Sequence, residues 1–281
     1  MKKLLTTLSI LLTFSMAYCQ SEVENHEAID MAKLRCTYQF SYQMDSTNSK
    51  RLRHEKMVLL IGEKCSKYKS YNSIITDSLI RDFDKRGIPP QIVVSDMSIF
   101  PKTKFNHQIF KNDPKGSMSV FDRVFKDKFV YNEPLDLFKW EVSSDTAKIS
   151  GYNCQKATTS YRGRNYEAWF TTEIPFSEGP YKFNGLPGLI VKIADTKKHY
   201  VFELISATKP PVGTLIYLPT YPKTICSSRE GFRKAKNDAK QDVIRRLEDM
   251  GGHFENPEDR KRAKERAMAK ARRTNNPIEL M

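Results

Sequence analysis

Long apolar runs are scarce in this 281-residue chain: one lies at the N-terminus and no second follows. That absence excludes a polytopic helical membrane protein. Glycine is sparse too, at 12 residues against 16 Phe and 13 Tyr. Such a mixture excludes collagen-like, coiled-coil-only and wholly disordered chains. The five cysteines contain no CxxC pair and are widely scattered, which argues against a structural zinc site. Histidine is limited to His26, His54, His107, His199 and His253. His54-Glu55 opens like a zinc-protease motif, but Val58 stands where the second histidine is needed. No serine lies in a GxSxG elbow, and Cys154 reads as an inert strand cysteine rather than a nucleophile. The sequence therefore assigns no catalytic, metal-binding or cofactor-binding residue. It leaves open a carboxylate pair assembled only by folding.

Acid is in deficit, with 33 acidic against 47 basic residues and a net charge of +14. The surplus is concentrated: positions 260–273 hold eight basic residues and one acid, Glu265. No aromatic side chains interleave with these charges to stack bases, so nucleic acid is not an expected partner. The opposite helix face offers only Ala263, Ala267, Met268 and Ala271, too little to bury in a membrane surface. A solvated helix with at most weak attraction to anionic membrane surfaces is expected.

The apolar run itself reads as an address. Lys2 and Lys3 precede positions 4–17, where nine of fourteen residues are apolar, and Ala17 and Cys19 occupy the small-residue positions before Gln20. This is the shape of a secretory signal peptide spanning residues 1–19 and cut before Gln20. A lipoprotein reading would acylate Cys19, but bulky Tyr18 then sits where a small side chain is wanted. The expected location is the periplasm or the periphery of the outer membrane, associated with it. Cleavage subtracts two lysines from +14, leaving +12, and four cysteines: Cys36, Cys65, Cys154 and Cys226.

With 39% hydrophobic residues the rest can bury one sizeable core. Ala32, Leu34, Cys36, Tyr38, Phe40, Tyr42 and Met44 alternate with polar residues, the period of a half-buried strand. A hairpin to positions 57–61 with Asp45 opposite Lys56 would place Cys36 opposite Cys65. Two readings stay open there, a disulfide and two buried free thiols. Further short runs at 104–111, 118–125, 128–131, 138–142, 148–161, 166–174, 189–194, 200–207 and 214–218 are separated by turn signals, including one at 143–145. They predict a mainly β fold, a large curved antiparallel sheet or open half-barrel over residues 20–226. One short internal helix is expected at 78–86, capped by Asp77 and stopped by Gly87. C-terminal helices are expected over 227–281. Phe232, Ala235, Ala239, Val243, Leu247 and Met250 form the stripe of one helix, and Asn256-Pro257 starts another.

Gly185-Leu186-Pro187-Gly188-Leu189-Ile190 spells the motif of the GLPGLI family of exported Bacteroidetes proteins. Gly151-Tyr152-Asn153-Cys154, Ala168-Trp169-Phe170, Ile174-Pro175, Gly179-Pro180 and the closing Asn275-Asn276-Pro277-Ile278-Glu279-Leu280 resemble that family in the same order. The resemblance implies an exported envelope protein, often encoded near TonB-dependent outer-membrane receptors, and carries no catalytic residues. Physically, Leu186-Pro187-Gly188-Leu189 fits a type II turn with Gly185 allowing close approach, a structural turn rather than a phosphate cradle. Trp169 faces away from Tyr166 and Phe170, so it is a recognition contact unless the C-terminal helix covers it.

The expected function is a non-enzymatic binding or accessory protein of the cell envelope. Its partner would be an outer-membrane receptor or an apolar ligand held by the curved sheet; the oligomeric state is left open. An envelope hydrolase and a purely structural component are the two other readings.

Overall fold

The computed structural model describes residues 25–89, 92–93, 97–221, 223–249, 254 and 256–280. The expected leader at 1–19, the expected cut before Gln20 and Met250, the last residue of the expected helix stripe, lie outside them. Strands β1 (Asn25–Met31), β2 (Leu34–Gln43), β3 (Leu52–Ile61) and β4 (Ser66–Ser70) lead into helix α1 (Tyr71–Lys85). There follow β5 (Gln108–Lys111), β6 (Ser117–Val124), β7 (Asp127–Pro134), β8 (Glu141–Ile149), β9 (Tyr152–Tyr161) and β10 (Arg164–Thr171). The series ends with β11 (Leu189–Asp195), β12 (Tyr200–Thr208), β13 (Leu215–Thr220) and β14 (Thr224–Cys226). Helices α2 (Arg229–Gln241), α3 (Val243–Asp249) and α4 (Pro257–Arg272) close the chain.

Twelve strands form one sheet in the order β14-β7-β6-β5-β4-β3-β2-β12-β11-β10-β9-β8, and β1 pairs with β13 in a separate ribbon. The ladders are antiparallel except for β14, which runs parallel to β7. The sheet is not closed into a barrel. It is nonetheless curved enough that Tyr131 of β7 and Tyr161 of β9, near its two ends, share one core with Tyr38 and Phe40 from its middle. Strand alternation sorts neighbours to opposite faces. Leu59, Ile109 and Val120 enter the inner core, whereas Leu60, Phe110 and Phe121 meet Ile216 and Ala32 of the β1–β13 side.

The inner face is filled by the chain itself. The connection 172–188 between β10 and β11 enters it in its second half, burying Tyr181, Lys182, Phe183 and Leu186. Phe40 stacks on Phe202 at 4.2 Å, and the Tyr38 hydroxyl donates to the Ile190 carbonyl at 2.8 Å, so a buried phenol keeps a partner. Helix α2 sets Phe232 against Phe129 and Tyr131 of β7.

Several local expectations are corrected. Cys36 pairs with Leu59, not Cys65. Asp30 of β1 accepts hydrogen bonds from the Lys64 and Cys65 amides, and Gly62 bonds Cys65, so the chain reverses at 62–65 and Cys65 precedes β4 instead of extending β3. The six-residue slip is even, so it keeps every β3 side chain on its expected face. Cys36 and Cys65 lie in different hydrophobic clusters, and all four described cysteines are free thiols. Burial pushes the Cys36 and Cys65 thiols up to about 12.

Helix α1 starts seven residues early. The Ser70 hydroxyl caps it by accepting from the Ser73 amide, while Asp77 instead pairs with Lys69. The reversal expected at 143–145 is a bulge inside β8, and the hairpin turns at Ser150-Gly151, both with positive φ. The single C-terminal helix is two: Asp242 leaves helical geometry, and Ile244 rather than Val243 becomes the buried residue beyond it. Asn256 does cap α4, its side-chain oxygen accepting from the Asp259 amide at 2.8 Å.

His107 lies inside this core against Tyr68, Phe105 and Tyr181, with no partner for Nε2. Burial lowers its pKa from 6.5 to about 4, with Asp122 and Glu279 opposing and Lys236 and Lys182 reinforcing. Between those values the unfolded chain binds the proton and the folded chain does not. Stability should therefore fall as pH drops from about 6.5 to about 4. In urea titrations at pH 7 and pH 5, His107→Phe is expected to narrow the difference between the two midpoints. An unchanged difference would show that His107 does not set it.

Candidate functional site

Titratable groups converge at one interior point. Lys182, fully buried on the 172–188 connection, contacts Glu133 of β7 and reaches Glu279 Oε1 at 2.7 Å. Arg229, in the first turn of α2, holds Glu279 Oε2 through Nη2 at 2.7 Å and Nε at 2.9 Å. Arg162, in the β9–β10 turn, donates to Glu133 Oε1 at 2.9 Å, and the Tyr181 hydroxyl donates to Glu279 at 2.6 Å. Three cations thus surround two carboxylates. Burial alone would raise the Glu279 pKa, but the Lys182 charge and the hydrogen bonds from Lys182, Tyr181 and Arg229 hold it at about 2. Neither of the two cavities described below is lined by any of these residues. Their charges satisfy one another, and chemically the cluster is a clamp joining β7, the interior connection, α2 and the C-terminal segment.

The solvent-facing cavities lie elsewhere, one on the free edge of the sheet and one running from its end across the neighbouring strands. None of the nine residues of β8 is buried, and among the described residues no strand pairs with its outer side. A groove of about 530 Å³ is lined by Thr146, Ala147 and Lys148 of β8 together with Cys154, Gln155 and Phe170. A second, of about 340 Å³, starts at Ile149 and continues over Glu167, Trp169, Lys192, Lys198 and Val201. Trp169 stands half-buried between its cross-strand neighbours Lys156 and Lys192. Its indole donates to Glu167 Oε1 at 2.9 Å, and Glu167 also pairs with Lys156 at 3.0 Å. That Lys156 hydrogen bond keeps the Glu167 carboxyl below its usual range. Helix α2 packs on β6 and β7, far along the strand order, so Trp169 is outward as the strand period indicates.

The Gly185–Gly188 segment is a turn, though not type II. The Gly188 amide donates to Leu186 O at 2.8 Å, a three-residue turn about Pro187, while the Leu189 amide bonds Ile174 O. Close approach belongs to Gly188 and not to Gly185: a Cβ on Gly188 would lie 2.1 Å from Thr171 O, whereas one on Gly185 would meet Trp140 at 3.6 Å. Leu186 points into the core. The clamp residues Glu133, Lys182 and Glu279 escape sequence reasoning. Their one signal is a charge set among apolar neighbours, as in Tyr181-Lys182-Phe183 and Ile278-Glu279-Leu280.

Fold and site together define an open, strongly curved antiparallel sheet with an exposed edge strand beside two grooves. A family described as "Protein of unknown function (Porph_ging)", an uncharacterised family typical of Bacteroidetes, matches residues 161–192, from the end of β9 through the interior connection to β11. The match includes the Gly185–Ile190 motif under that description; the GLPGLI name stays a resemblance. No curated protein matches the chain. Among solved structures, PNGF-II in space groups P21 and C2 is similar in fold, each with TM-score 0.50 and 14% identity over 74% of this chain. The chain spans about a third of PNGF-II, 34% and 33% in the two crystals.

Proposed function

We propose that this chain is an exported, non-enzymatic binding or accessory protein of the bacterial cell envelope that receives an extended segment of a partner protein along β8. The observation that carries this reading is the nine-residue free edge with one groove along it and a second starting at its last residue, Ile149. An added strand would draw affinity from main-chain hydrogen bonds, and the grooves would select its alternate side chains. Export is supported by the leader-like residues 1–19, and a TonB-dependent outer-membrane receptor is the partner class suggested by the GLPGLI resemblance. The hydrolase reading finds less support, because the converging carboxylates are clamped by cations away from both grooves.

A photo-crosslinker at Val142, which is 49% exposed on β8, tests this in cells. The expected result is one dominant envelope-protein adduct. Trp169→Ala should weaken capture about tenfold, as removal of an aromatic anchor does. Absence of any adduct, together with turnover of a generic ester or peptide by the purified chain, would replace this reading with the hydrolase.

A further inference from the structure

The C-terminal segment 275–280 is held in the way a protein holds a peptide ligand. It belongs to no strand ladder, and its main chain is met largely by side chains. Arg164 donates to the carbonyls of Pro277 and Ile278 at 2.6 and 3.1 Å and to Asn276 Oδ1 at 2.6 Å. The Tyr200 hydroxyl donates to the Asn276 carbonyl. Asn276 in turn donates to the carbonyls of Gln43 at 2.6 Å and Met44 at 3.1 Å. The Leu280 amide donates to Arg162 O at 3.0 Å, and Glu279 enters the clamp described above.

Each receiving group also has an anchor outside the segment. Asp195 grips Arg164 at 3.0 Å and accepts from the Tyr200 amide at 2.7 Å. Lys182 is placed by its buried contact with Glu133, and Arg229 by the start of α2. None of these groups comes from α4, the helix that precedes the segment. A preorganised cleft of this kind spends little ordering entropy on its occupant. Emptied, it would leave Glu133 as the buried carboxylate for Arg162, Lys182 and Arg229, with the exposed Glu230 at 3.5 Å from Arg229 outside it, a deep site short of one anion.

We propose that this cleft is an exchangeable recognition site for extended peptides carrying an Asn-Pro-x-Glu core, with residues 275–280 as its resident occupant. The asparagine is read by Arg164 and the Gln43 carbonyl, and the glutamate by Lys182 and Arg229. The site is separate from the β8 rim and does not depend on it.

The probe is a fluorescent synthetic peptide with the sequence of residues 274–281, and a counterpart with glutamine in place of its glutamate. The receptors are the full native chain and the full chain carrying Asn276→Ala and Glu279→Gln, which weaken the resident segment. The variant should bind the probe at least about tenfold more tightly than the native chain, where the resident competes. The glutamine counterpart should bind at least about tenfold more weakly. A variant that keeps its circular dichroism and does not bind, or that binds both peptides equally, overturns the proposal. Should the variant not fold, hydrogen exchange of the native chain decides. The Asn276 and Leu280 amides should exchange at least about tenfold faster than the ladder amides of β10 and β12, because the segment leaves while the sheet stays paired. Equal rates would overturn the proposal.

Discussion

Gly188→Ala is expected to lower the stability of the chain by about 3 kcal/mol or more. Gly188 adopts φ +154, and an added Cβ would lie 2.1 Å from Thr171 O and 2.7 Å from Thr171 C. Both are main-chain atoms at the end of β10, so no side-chain rotation relieves the overlap. The substitution must push the interior connection off the sheet, disturbing Leu186, Leu189 and Ile190, all buried. Gly213→Ala is the matched control, having φ +79 but nothing within 4 Å of an added Cβ. It should lose only the about 1–2 kcal/mol of left-handed backbone. Urea unfolding of the two variants separates the effects, and equal losses would show that close approach is not what Gly188 provides.

Glu279→Gln should lower stability by about 3–5 kcal/mol, because it leaves Lys182 and Arg229 inside the protein with one carboxylate fewer. The loss is capped by the free energy of the segment leaving the cleft and returning those cations to water. Lys192→Met, which breaks an ion pair with Glu203 among half-exposed side chains, should change stability by no more than about 1 kcal/mol. The same carboxylate sets an acid limit. Its folded pKa of about 2 lies below the usual 4.5, so its contribution is complete above about 4.5 and is lost as pH falls towards 2. Native chain should therefore lose stability in that window, and Glu279→Gln should lose less of it. Urea midpoints at pH 5 and pH 3 that shift equally for both chains would show that another carboxylate governs acid unfolding.

The strand content was legible because two-residue alternation survives in single segments. Ala32 to Met44 announces β2, and the Tyr166, Ala168 and Phe170 face announces β10. Registers were less legible. The β2–β3 pairing depends on where the chain reverses, and that is settled by Asp30, a residue of another strand, bonding the 62–65 turn. The expected turn at 143–145 carried good turn residues, yet β9 runs past it and the ladder absorbs the extra residues as a bulge. The start of α1 was hidden because Ser70, its cap, also ends a strand. The clamp was least legible of all: Glu133, Lys182, Arg229 and Glu279 come from four separated stretches, and no local spacing links them.

Taken alone, the order of residues determined that the chain forms short antiparallel strands followed by helices, that Trp169 lies on the strand face opposite Tyr166 and Phe170, and that the Gly185–Gly188 segment turns. Those properties follow from side-chain periodicity and backbone sterics, which act over a few neighbouring residues. Only the tertiary structure decided which non-consecutive strands lie side by side, that residues 179–186 fill the hollow of the sheet with Asn276 and Glu279 reaching in, and that five charges meet there. Burial of charge is affordable only when distant partners arrive together, and that arrival depends on the curvature of the whole sheet.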